Sequence, residues 1–67
     1  LNKKKEAYDF FSANANAFPK SIDVHKDLSN FFLSDGHYAK ALESLQKIVQ
    51  LDPSNVWAKD IIKKIKK

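Results

Sequence analysis

The chain contains no cysteine, no methionine and no arginine, and it holds one glycine and two prolines. Without cysteine there is no disulfide framework, no thiolate metal site and no thiol chemistry. Without arginine there is no rigid guanidinium fork to grip carboxylates or phosphates in pairs. No apolar run approaches the roughly 18–20 residues needed to span a bilayer, and no signal-peptide pattern is visible. Methionine is missing even at position 1. The chain is therefore expected to be a fragment of a longer protein, and its compartment stays unknown.

What is present points to helices. Hydrophobic residues make up 43% of 67 positions, too many for a disordered chain. A domain this small buries roughly 60% of its unfolded surface, and its core supplies only about 3–5 kcal/mol. The net charge of +4 is uneven. Seven lysines cluster at the two ends, whereas residues 6–62 carry five lysines against all eight acids.

One offset organises the chain. Pro53 follows Pro19 by 34 residues, and the same 34 separates Ala41 from Ala7 and Leu45 from Phe11. Past the prolines it pairs Ile22 with Val56, Leu28 with Ile62 and Phe31 with Ile65. A fixed period in this range marks a repeat architecture.

Four helical segments are expected. Ala7, Phe11, Ala15 and Phe18 recur at helical spacing over about 3–17, with Tyr8 and Phe10 beside them. Pro19 stops that run, because the residue before proline is pushed out of the helical region. Ser21 is a natural N-cap for a second helix reaching about Ser34, with Val24, Leu28, Phe31 and Phe32 on its apolar face. "SDG" at 34–36 breaks it, and Gly36 is expected at positive φ. The third helix runs from about His37 to Leu51, with a stripe of Tyr38, Ala41, Leu42, Leu45, Ile48 and Val49. Ser54 or Asn55 caps the fourth, whose Ala58, Ile61, Ile62 and Ile65 alternate with lysines. Short connections between such helices imply antiparallel neighbours. The fold class read from this is all-α, an antiparallel array of helix hairpins.

These residues resemble the tetratricopeptide repeat family. Residues 22–55 look like one full repeat: Leu28 and Phe32 in the first helix, Gly36 and Tyr38 at the turn, Ala41 and Leu45 in the second helix, Pro53 at the close. Residues 3–19 look like the second helix of a preceding repeat, and 56–67 like a terminal capping helix with one wet face, within a single domain over 1–67. His25, Ser29 and Ile48 depart mildly from the family pattern. The resemblance implies an α-solenoid fragment that works as a scaffold for protein contacts, without cofactor. A second resemblance rests on "NANAFPKS" and "AKDIIKKI". It is to the short helical tails that end some bacterial serine hydrolases of the α/β-hydrolase (esterase) or β-lactamase-like type. It implies a lid or oligomerisation tail whose catalytic serine lies upstream, since no G-x-S-x-G occurs here.

Other chemistries find little footing. His25 and His37 have no metal-ligand spacing, and His25 reads as a histidine at the edge of the core. Ser29, His25 and Asp27 sit too close along one helix to converge as a triad. The chain is expected to be no enzyme by itself. The aromatic residues fall at packing spacing, and the lysine clusters lack interleaved aromatics, so no specific nucleic-acid contact and no membrane contact are expected.

In the resembled family the first helix of each repeat lines a concave groove. Here that lining would be Asp23, Lys26, Asp27, Asn30, Leu33 and Ser34. Lys26 and Asn30 resemble half of the clamp by which some members hold a chaperone's C-terminal carboxylate. Ile61 stands where the other half needs asparagine, and Asp27 would repel a carboxylate. Tyr8, Phe10 and Trp57 are the aromatic residues least accounted for by an internal core, and are candidates for an interface. The expected partners are a protein or peptide, the rest of the parent chain, or a second copy joined through the first helix.

Overall fold

A computed structural model describes residues 3–66 of the chain. Lys67, which the expected capping segment included, and Leu1 and Asn2, within the expected domain, lie outside the described residues. The protein is all-α: α1 spans Lys3–Ala17, α2 Ile22–Ser34, α3 Tyr38–Leu51 and α4 Val56–Ile65. Each helix packs on its chain neighbour, α1 on α2, α2 on α3 and α3 on α4. The molecule measures 38 × 27 × 13 Å.

Each boundary has a local cause. Phe18 leaves the helix ahead of Pro19 and stays 60% exposed rather than joining the apolar stripe of α1. Ser21 caps α2, its hydroxyl accepting from the Val24 amide at 3.4 Å. Gly36 adopts φ +76 and turns the chain into α3. A Cβ there would meet nothing within 4 Å, so the demand for glycine is a backbone demand alone. His37 is the N-cap of α3, which begins one residue later than its periodicity suggests. Of the two candidate caps for α4, Asn55 serves, its Oδ1 accepting from the Ala58 amide at 2.9 Å. Ser54 instead donates to Asp52 at 2.9 Å.

The 34-residue offset recurs bond by bond. The Phe18 amide donates to Asn14 O, and the Asp52 amide to Ile48 O. Ser21 to Phe18 repeats as Asn55 to Asp52, and His25 to Ser21 as Lys59 to Asn55. The cap bond at Val24 repeats at Ala58. The two proline turns are thus the same hydrogen-bonded unit used twice.

Two buried clusters hold the helices together. Leu28, Phe32 and Ala41 form one, with Phe11, Ala15 and Phe31 packed against it. Leu45, Ile48 and Ala58 form the other, joined by Ile22, Val49, Trp57, Ile61 and Ile62. Three rings meet in the first: the Phe31 ring lies 5.7 Å from Phe11 and 5.6 Å from Phe32, both tilted. Ile65 touches both clusters and ties them together.

Candidate functional site

The candidate groove residues all lie on α2, and the structure divides them into two rows. Lys26 and Leu33 share the row that begins at Ile22 and turns toward α4. Ile22 packs on the Leu45–Ile48–Ala58 cluster. The Lys26 ammonium sits 4.9 Å from the Trp57 ring centre. Leu33 borders a cavity of about 360 Å³ with Tyr38, Ile61, Lys64 and Ile65. Asp23, Asp27, Asn30 and Ser34 form the second row, spaced to lie one above another, and all four are exposed.

This division changes the chemistry of the face. A cation over an aromatic ring gains about 0.5–1 kcal/mol at an exposed site. The Lys26 ammonium is therefore engaged with Trp57. The outward row carries two carboxylates and no cation, which does not suit a carboxylate ligand. Asp23 has a structural role besides, because an acid in the first turn of a helix offsets the helix dipole.

His25 and Ser29 are engaged elsewhere. The His25 side chain is 6% exposed, and its Nε2–H donates to Pro19 O at 2.7 Å. A carbonyl only accepts, so that nitrogen carries the proton. The Ser29 hydroxyl, fully buried, donates to His25 O at 2.8 Å. Asp27 points outward from the same helix. The three side chains that could be written as a triad thus serve as a turn latch, a helix back-bond and a surface charge. Among the described residues no group of three or more histidines and carboxylates gathers as a metal site, and no helix is long and apolar enough to cross a membrane.

The candidate interface residues separate too. Phe10 is 62% exposed. Tyr8 is shared: it is 38% exposed, and its ring lies 5.8 Å from Phe32 and 6.4 Å from Phe31. Trp57 is half-buried among the aliphatic residues of α3 and α4, with Lys26 over its ring. Tyr38 is 56% exposed and lies on the Leu33 cavity rather than in the α3 stripe.

A polar group that no spacing announces joins the start of α1 to the α2–α3 turn. Asp35 accepts from Lys4 at 2.8 Å through one oxygen and from His37 Nε2 at 2.8 Å through the other. Lys40 places its ammonium 5.3 Å from the Tyr8 ring centre. The Lys4 hydrogen bond, with the charge of Lys4 behind it, holds the Asp35 carboxyl below its ordinary value, and Asp35 in turn raises Lys4. Lys4 and Asp35 lie 31 positions apart, so only the packing of α1 on α2 could reveal them.

Comparisons with protein-family models, with curated proteins and with solved structures found no match.

Proposed function

We propose that this chain is a non-catalytic helical-repeat module of the tetratricopeptide type. In this reading it forms the C-terminal part of a larger protein and presents α2 to a protein or peptide. The reading is supported above all by the recurrence of the proline turn, in three backbone bonds and one side-chain cap, at an offset of 34 residues. A repeated turn sets repeated helices beside one another, and a stack of helices offers a continuous face for binding. Fold alone does not specify a ligand, so the partner is read from the face itself. Asp23, Asp27, Asn30 and Ser34 offer carboxylates and amide or hydroxyl donors. The cavity beside Leu33, about 360 Å³ with Ile61 and Ile65, offers room for one apolar side chain. The partner that suits both is a basic segment with an apolar anchor.

The test is a titration of isotopically labelled chain with two peptides, one carrying lysines around a leucine, the other ending in acidic residues and a free carboxylate. Amide shifts at Asp27, Asn30 and Leu33 with the basic peptide, lost in Asp27→Lys, are expected. A response to the acidic peptide alone would assign the face to carboxylate recognition. No response to either would remove α2 as the binding face.

A further inference from the structure

The Lys4–Asp35–His37 group borders a cavity of about 280 Å³ where α1 meets the α2–α3 turn. Its floor is aromatic: Tyr8, Phe31 and Phe32 line it, and Tyr8 stays 38% exposed. Its rim is basic. Among the described residues, Lys4, Lys5 and Lys40 border it against one carboxylate, that of Asp35. None of these residues belongs to the outward row of α2 or to the cavity beside Leu33. The site is therefore separate from the face assigned above to a basic partner.

The charges on the rim are engaged in different ways. Both Asp35 oxygens are taken, by Lys4 and by His37, each at 2.8 Å. Lys5 lies 3.5 Å from Asp9. Lys40 is exposed, and its ammonium sits 5.3 Å from the Tyr8 ring centre and 5.9 Å from that of Phe32. Among the described residues no carboxylate pairs with it. A cation over a ring at an exposed site is held weakly, and a charge-assisted hydrogen bond to an anion outweighs that contact. The start of α3 adds to the positive field. Its first turn carries no acid, and its N-cap His37 makes no side-chain cap bond, so the helix does not offset its own dipole there.

We infer that this cavity binds one aromatic ring bearing an anionic group, a carboxylate or a phosphate. The ring takes the place of the Lys40 ammonium over Tyr8, where offset or edge contacts between rings are favourable. The ammonium, on its flexible four-carbon stem, turns to the acid instead. Lys4, largely exposed beside it, adds a second positive charge to the same rim. The volume lies just below the range of about 300–1,000 Å³ that holds drug-sized ligands, so the site suits a single ring. Lysine acts as a point charge and accepts either acid, and a phosphate gains more because it carries nearly two charges at neutral pH.

The test is a titration of isotopically labelled chain at neutral pH with benzoate, phenyl phosphate, inorganic phosphate and benzyl alcohol. Both aryl anions are expected to shift the amides of Tyr8, Phe31, His37 and Lys40. Phenyl phosphate is expected to bind about tenfold more tightly than inorganic phosphate or benzyl alcohol. Lys40→Gln, at an exposed side chain, is expected to weaken its binding roughly 2–5-fold. Asp35→Asn removes the negative charge from the rim and is expected to tighten binding by a similar factor. The opposite signs separate a ligand site from a structural tie, because a variant that merely loses its fold does not bind more tightly. Circular dichroism of both variants checks that they stay helical. Inorganic phosphate binding as tightly as phenyl phosphate would overturn the inference by leaving only a cluster of lysines. Equal binding of benzyl alcohol would overturn it by leaving only an apolar hollow. So would unchanged affinity in Lys40→Gln, or weaker binding in a folded Asp35→Asn.

Discussion

α1 and α3 carry the same pattern 34 residues apart, yet their burial differs sharply. Ala41, Ser44, Leu45 and Ile48 of α3 are buried, whereas α1 has no buried residue. Ala7 stands for Ala41 and Phe11 for Leu45. The cause is the count of neighbours: α3 lies between α2 and α4, and α1 packs on α2 alone. An apolar stripe states that a helix wants cover, and only its neighbours decide how much it receives.

The sharpest way to break this comparison is to truncate equivalent residues. Leu45→Ala removes a fully buried side chain and is expected to cost about 2–5 kcal/mol, close to the whole stability of so small a domain. Phe11→Ala removes a half-buried ring and is expected to cost roughly 1–2 kcal/mol, despite the greater size of the group. Urea unfolding of the two variants measures both, and equal losses would mean that α1 is as well covered as α3. Enlarging the small residues probes the same contrast from the other side. Ala41→Leu overpacks a fully buried site and is expected to lose about 1–3 kcal/mol, while Ala7→Leu, on the open helix, leaves the unfolding midpoint nearly unchanged.

The repeated caps give a smaller and cleaner pair. Asn55 holds its amide at 2.9 Å and Ser21 at 3.4 Å. Replacing Asn55 by Ala is expected to cost about 1 kcal/mol and Ser21 by Ala about 0.5 kcal/mol, within the usual range for caps. Reversed values in thermal melts would show that the longer bond is the stronger constraint. The smallest effect belongs to the edge of α1. Lys4 depresses the Asp35 carboxyl, so the contribution of that pair is full above the ordinary carboxylate value of 3.8 and disappears as pH falls through the lowered one. Lys4→Gln is expected to shrink the loss of stability between neutral and strongly acidic pH by a small margin, Lys4 being largely exposed. An unchanged acid profile would show that the contact adds nothing to folding.

Local signals are legible in the order of the residues. Gly36 at φ +76, the cap at Ser21, the stop ahead of Pro19 and the burial of Leu28 and Leu45 all follow from residue type and spacing. Contacts between distant residues are not. Nothing near Lys26 announces that its ammonium sits over Trp57, or that Lys4 reaches Asp35. Nor does helical periodicity alone say that Tyr38 stays exposed while Ser29 is fully buried. Sequence determined the helices, their ends and the 34-residue recurrence, because each depends on backbone preferences and hydrogen bonds within a few residues. Tertiary structure decided which stripes are covered and which of the α2 side chains stay exposed. Burial and charge pairing depend on which helix lies opposite, and that is settled only when all four pack together.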